Sequence, residues 1–68
     1  MIKKGIISKF DDIKLTAEVV IPELDNIVTP MIPISRAIER LDLVIGRECV
    51  VALFSESFAD GAVIAIIY

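Results

Sequence analysis

Two stretches near the C-terminal end constrain the fold most, because each is apolar on both faces of a strand. The first is Arg47–Phe54, where every residue from Cys49 onward is apolar, and the second is Ala62–Tyr68. The turn signal Asp60-Gly61 separates them. A strand with two apolar faces needs cover on both faces. One helix of this chain can cover one side of the sheet, and we expect a second copy of the chain to cover the other.

The size of the chain gives a second reason to expect association. Its 68 residues make a single domain, 1–68, and a chain this short buries only about 60% of the surface that its unfolded form exposes. A disulfide within the chain is excluded because Cys49 is the only cysteine, and the absence of histidine argues against a thiolate or imidazole metal site. Association is the remaining common way to stabilise so small a domain.

The first half of the chain predicts a hairpin. Gly5–Phe10 is a short strand that ends at Asp11-Asp12, and these residues favour a turn. Ile13–Ile21 alternates with a period of two, which is typical of a half-buried strand. Its apolar face consists of Ile13, Leu15, Ala17, Val19 and Ile21.

The middle of the chain predicts a short strand followed by a helix. Ile27–Thr29 is extended, and Pro30 prevents it from continuing as a central strand. Pro33 suits the first turn of a helix that runs to about Leu41. The apolar stripe of that helix consists of Ile34, Ala37, Ile38 and Leu41. The order of elements predicts a mainly β fold, a small five-stranded barrel of the oligonucleotide/oligosaccharide-binding type with one short helix between strands 3 and 4.

Composition disfavours several classes of function. A net charge of −3 makes a nucleic-acid partner a poor expectation, because such partners are bound chiefly through Lys and Arg. The longest uncharged runs, Asn26–Ser35 and Gly61–Tyr68, are too short to span a membrane. Without a signal-peptide core, a cytoplasmic location is the simplest expectation. Without histidine, a Ser-His or Cys-His nucleophile is excluded, so we expect binding and no catalytic residue.

The order and spacing of several segments resemble the molbindins, small molybdenum–pterin-binding proteins built from one TOBE domain. The similarity covers roughly residues 4–58. It is carried by Lys4-Gly5, Thr16–Val20, Asn26–Thr29 and Leu41–Leu53. The resemblance implies a TOBE-like five-stranded barrel that assembles into a homo-dimer, trimer or hexamer. It also implies that molybdate or tungstate is held between subunits by hydrogen bonds, with no directly coordinated metal.

A tetrahedral dianion needs convergent N–H and O–H donors and nearby positive charge. Thr29 matches the family pattern directly, and Ser55 falls in Phe54-Ser55-Glu56, the nearest equivalent of the family's Lys-Ala-Ser/Thr tripeptide. Lys3 and Lys4 are the candidates for positive charge. The alternative readings are that Thr29 is simply a good strand residue and that the lysines belong to a solvated terminus.

Several other charged or reactive residues could have either a structural or a functional role. Asp11 and Asp12 could chelate a hard cation, but neighbouring carboxylates in a hairpin turn usually only form the turn. Cys49 has no basic neighbour in sequence, so a buried structural thiol is expected. Arg36 and Arg40 lie on the polar side of the predicted helix and could pair with Glu39 or with another subunit.

Three functions follow as hypotheses. The first is an intracellular oxyanion-binding protein that stores or buffers molybdate or tungstate. The second is a ligand-free module for oligomerisation or for regulating a partner, because the Ser-Ala-Arg-Asn segment that opens typical molbindins is replaced here by Met1-Ile2-Lys3. The third and weakest is a nucleic-acid-binding barrel, which would need a basic face.

Overall fold

The computed structural model describes residues 1–55 and 57–68. The chain is mainly β, as expected, and the described residues form six strands where the sequence predicted five. The strands are β1 (Ile2–Asp11), β2 (Thr16–Ile21), β3 (Ile27–Val28), β4 (Ile32–Pro33), β5 (Glu48–Leu53) and β6 (Gly61–Ile66). Short 3-10 turns occupy Pro22–Leu24 and Arg40–Asp42. No helix in the described ranges is long and apolar enough to cross a membrane.

The strands form one antiparallel sheet in the order β3-β2-β1-β5-β6. β4 pairs with β2 beside the first residues of that strand, whereas β3 pairs with its last residues. Beyond β4, Ile34 makes an isolated parallel bridge to Val63, and the Ser35 N–H donates to the Val63 carbonyl at 2.8 Å. The segment after β4 therefore reaches the edge of β6, although the ladder itself stays open there.

The predicted hairpin is confirmed, with a later start to its second strand. Asp11 forms the turn, because its carboxylate accepts hydrogen bonds from the N–H groups of Ile13 (2.9 Å) and Lys14 (3.0 Å). These bonds lower the pKa of Asp11. Leu15 completes the turn with a φ of 53°, so β2 begins at Thr16, and Ile13 lies in the turn with 84% of its surface exposed.

The core lies on the inner face of the sheet, where inward residues of five strands meet. Its buried members are Ile7, Ala17, Val19, Ile21, Ile32, Ile34, Leu43, Cys49, Val51, Leu53 and Val63. Gly5 lets β1 pass close to its neighbours, because a Cβ at this position would overlap Val19 Cγ1 and lie 3.3 Å from Val51 Cγ2. The strands predicted at Arg47–Phe54 and Ala62–Tyr68 form as β5 and β6, each slightly shorter.

The predicted helix is wrong: Pro33–Leu41 contains no α-helix, and its only helical turn is the 3-10 turn that starts at Arg40. The backbone stays extended through Ile34, whose N–H donates to the Leu15 carbonyl at 2.8 Å. A helix of under three turns is not stable alone, so these hydrogen bonds to distant parts of the chain decide its conformation. Leu41, the last member of the predicted apolar stripe, is 89% exposed.

The outward side chains of β1, β5 and β6 define a second surface, which we call the outer face. Cys49, Val51 and Val63 point into the core, so their neighbours along the strands point outward. Register groups these neighbours in three rows: Ile2, Ala52 and Ala62; Lys4, Val50 and Ala65; Ile6 and Glu48. Ile64, at the irregularity in the β5–β6 ladder, is 42% exposed, and Ile2 is 62% exposed.

Candidate functional site

Thr29, the strongest sequence candidate for anion binding, is buried and its hydroxyl is fully engaged. The Val19 N–H donates to Thr29 Oγ1 at 3.1 Å, and Oγ1 donates its proton to the Pro30 carbonyl at 2.9 Å. The Thr29 N–H in turn donates to the Val19 carbonyl at 2.9 Å. A hydroxyl has one proton to donate, so Thr29 could bind an anion only after releasing Pro30. Within one copy its contacts are structural.

The two candidate lysines lie on opposite faces of the sheet. Lys3 is paired with Val51 on the inner face, and its Nζ lies 2.9 Å from a carboxylate oxygen of Glu23. Lys4 lies on the outer face, with its Nζ 3.3 Å from a carboxylate oxygen of Glu48. More than half of the Lys4 side chain is exposed, and ion pairs of this kind contribute about 0–1 kcal/mol. Of the two candidate lysines, Lys4 is therefore the one that a partner or ligand can recruit more easily.

Ser55 lies in the exposed turn that follows β5. Its hydroxyl oxygen accepts a hydrogen bond from the Ser57 N–H at 3.1 Å. Glu56, the last residue of the tripeptide considered with it, lies outside the described residues. The four candidates thus occupy separate places, and in the described ranges no hydrogen bond or ion pair joins any two of them.

The remaining sequence candidates take structural positions. Asp11 caps the hairpin turn, and over the described residues no group of three or more His, Cys, Asp or Glu side chains is arranged to hold a metal. Cys49 is fully buried, as expected. Burial raises the pKa of its thiol to about 11, against a smaller opposing effect of a backbone hydrogen bond from Gly5. Arg36 and Arg40 are exposed and form no ion pair with any described residue.

Sequence reasoning missed a groove between β6 and the segment that was predicted to be helical. Its volume is about 460 Å³. The lining residues are Ala37, Ile38, Glu39, Asp42, Ile64, Ala65, Ile66 and Tyr68. The apolar run of the last strand pointed to this region, but a helix packed on the sheet would have filled it.

A small polar cluster closes one part of this groove. The Tyr68 hydroxyl donates a hydrogen bond to the Asp42 carboxylate, and this bond is the main reason why the pKa of Tyr68 is raised. Arg47 lies 3.7 Å from the same carboxylate, and its guanidinium carbon lies 5.8 Å from the centre of the Tyr68 ring. Asp42 therefore has its partners within the chain, whereas the neighbouring Glu39 forms no ion pair with a described residue.

Comparison of the chain with protein-family models, with curated proteins and with solved structures finds no match.

Proposed function

We propose that this chain is a self-associating β module whose outer face packs against the same face of a second copy. The observation that carries the proposal is the composition of the three rows on that face, where small and aliphatic side chains surround the Lys4–Glu48 ion pair. Contiguous apolar surface of this kind usually marks an interface. Inward and outward side chains alternate along β5 and β6, and both sets are largely apolar. This supports the expectation from sequence that these two strands need cover on both faces.

Shape and charge both favour a second copy as the occupant. The middle of the outer face carries small side chains, those of Ala52, Ala62 and Ala65. Because these side chains are short, another sheet can approach to the usual spacing of about 10 Å. An interface around a two-fold axis uses the same patch on both subunits. Among the described residues of the three rows, Lys4 is the one cation and Glu48 the one anion, so Lys4 of each copy can pair with Glu48 of the other.

The engagement of the candidate anion donors favours association over ligand storage as the primary role. Thr29 uses its hydroxyl proton inside the chain, and Lys3 and Lys4 both form ion pairs within the chain. In this proposal the protein binds and does not catalyse, it works in the cytoplasm, and its partners include neither nucleic acid nor a membrane. The finer architecture is part of the proposal: a TOBE-like barrel closed through the contact between Ile34 and Val63.

The mass in solution tests the association. Light scattering on the purified protein should report at least a dimer. Val50→Lys places a charge in the middle of the outer face and should return the mass to that of one chain, while circular dichroism still reports the β fold, because a lysine there can extend its ammonium into water. The matched control is Val28→Lys, at an exposed position of β3, which should leave the assembly intact.

A folded, monomeric native chain at every concentration tested would contradict the proposal. Equal loss of mass in Val50→Lys and Val28→Lys would show that association occurs but uses another surface.

Oxyanion binding between subunits is the second candidate, and the position of Lys4 favours it. The family resemblance implies a molybdate or tungstate site between subunits, and Lys4 is exposed on the face that we propose as the interface. Two copies would bring two such ammonium groups toward each other. A dianion could then replace Glu48 as their counter-ion.

Calorimetric titration of the assembled protein with molybdate, tungstate and sulfate tests this candidate. Molybdate or tungstate should release heat at micromolar protein, and Lys4→Gln should weaken the response, because the neutral side chain cannot compensate the charge of the anion. Lys14→Gln, in the exposed hairpin turn, removes the same charge elsewhere and should bind as the native protein does. Absence of heat with all three anions would exclude the oxyanion role and leave the association untouched.

A further inference from the structure

The groove beside β6 is bounded by an open strand edge. The Ser35 N–H occupies the Val63 carbonyl near the start of this edge, and in the described ranges no strand pairs with β6 on this side beyond that point. An unpaired edge presents a row of backbone donors and acceptors to any extended segment that can reach it.

The register shows which backbone groups point into the groove. The Ile67 N–H donates to the Glu48 carbonyl at 3.0 Å, while Ile66 is paired with Cys49. Successive residues of a strand direct their N–H and C=O groups to opposite edges. The N–H and C=O of Ile66 therefore point away from β5 and toward the groove.

The opposite wall of the groove limits what can enter. Ala37 and Ile38 make this wall apolar, and among the described residues of the lining the charged ones are Glu39 and Asp42. Asp42 already has Arg47 as its counter-ion and accepts a hydrogen bond from the Tyr68 hydroxyl. The carboxylate of Glu39 has no such partner within the described chain, and Arg36 and Arg40 do not belong to the lining.

We propose that this groove binds an extended segment of another protein, in which apolar residues alternate with lysine or arginine, as an added strand on β6. The segment would exchange backbone hydrogen bonds with Ile66, place apolar side chains against Ile38 and Ala37, and direct a basic side chain to Glu39. Strand addition of this kind takes its affinity from the backbone and its specificity from alternate side chains.

The charge of the lining decides against a second copy of the chain as the occupant. Two β6 edges paired with each other would bring a second Glu39 carboxylate to the same groove. Like charges brought together at an interface oppose binding. The groove is thus distinct from the outer face, where Lys4 and Glu48 can pair between two copies.

Fluorescence anisotropy with labelled peptides tests this proposal. The probe is a heptapeptide of alternating lysine and valine, and its matched controls carry glutamate in place of lysine or proline in place of the central valine. The native protein should bind the basic peptide about tenfold more tightly than either control. The acidic control reports the charge of Glu39, and the proline control reports the backbone hydrogen bonds.

Two variants locate the binding. Glu39→Lys should abolish the preference for the basic peptide, whereas Asp12→Lys, which changes the net charge equally at the exposed hairpin turn, should retain it. Ala37→Trp should block the groove and reduce binding of the basic peptide about tenfold, with circular dichroism reporting whether the fold persists.

Equal binding of the basic peptide by Glu39→Lys and Asp12→Lys would overturn the proposal, and so would equal binding of the proline control. A lower mass in solution for Ala37→Trp would also overturn it, because a second copy would then be the occupant. The two peptide results leave the outer face untouched, and Val50→Lys tests that face separately.

Discussion

The inner and outer faces of the β1–β5–β6 sheet come from the same three strands, yet only the inner face is sealed within one chain. On the inner face Cys49, Val51 and Val63 are fully buried. On the outer face Ile2 and Ile64 remain 62% and 42% exposed. Both faces read as apolar in the sequence, so composition alone does not tell which side a small domain covers with its own chain.

The two faces differ in what lies opposite them. β2, β4 and the residues after β4 pack their apolar side chains against the inner face, and this seals it from water. On the outer face the side chains are smaller and include the Lys4–Glu48 ion pair. Substitutions that distinguish the two faces test this comparison directly.

The largest effect is expected at Gly5, where the inner face leaves no space for a side chain. Gly5→Ala places a Cβ onto Val19 Cγ1 and within 3.3 Å of the Val20 carbonyl oxygen, and we expect a loss of about 3 kcal/mol in the free energy of unfolding. Gly46→Ala is the control. A Cβ at Gly46 would meet no heavy atom of the described chain within 4 Å, so only the backbone φ of 90° opposes this substitution. It should cost about 1 kcal/mol. Urea unfolding measures both, and equal costs would mean that β1 can move away from β2.

A smaller effect should separate two adjacent valines of β5. Val51→Ala leaves a cavity in the core and should cost about 2 kcal/mol, because the valine is fully buried. Val50→Ala, on the half-buried outer face, should cost less than about 1 kcal/mol in the monomeric state. Denaturation of dilute protein, where a single chain dominates, measures the difference. Equal values would indicate that both faces are covered even then.

The last prediction concerns the chemical reactivity of the Cys49 thiol, where we expect the smallest effect on stability. Its raised pKa of about 11 predicts roughly a hundredfold less thiolate than an ordinary cysteine has at neutral pH. Alkylation of the native protein should therefore be slow, and it should accelerate as the pH rises toward 11. A cysteine placed on the outer face by Val50→Cys, in a Cys49→Ala background, should react much faster when the chain is monomeric and more slowly once it is assembled.

The same thiol makes stability depend on pH in a known direction. Its pKa in the folded chain lies above the ordinary value of 9.0, so the contribution of the neutral thiol is complete below pH 9 and is lost as the pH rises through about 11. The difference in unfolding free energy between the native protein and Cys49→Ala should shift against the native protein over this range. A difference that is constant with pH would show that the thiol is open to water.

Much of the strand content could be predicted because it follows from local alternation. Ala17, Val19 and Ile21 were expected on one face, and all three are fully buried. The Asp11 turn and the apolar strands β5 and β6 were equally visible. The helix over Pro33–Leu41 could not be predicted reliably from its apolar residues Ile34, Ala37 and Ile38. In the structure this segment is not an α-helix, and only Ile34 of the three is buried.

The candidate site was harder to predict than the fold. Residue type alone suggested Thr29 as a hydrogen-bond donor, but whether a hydroxyl is free depends on which backbone groups lie beside it, and here these are Val19 and Pro30. The groove beside β6 exists only because residues 37–42 do not pack on the sheet as a helix. Nothing in the local pattern of residues signals such a space.

The sequence by itself determined that the chain is mainly β, that it has no disulfide within it, and that its C-terminal strands are apolar on both faces, because these properties follow from residue type and from a period of two. The tertiary structure decided which of those faces became the core and where Ile34 is held. These outcomes depend on hydrogen bonds and contacts between residues far apart in the chain, such as Ile34 with Leu15 and Ser35 with Val63.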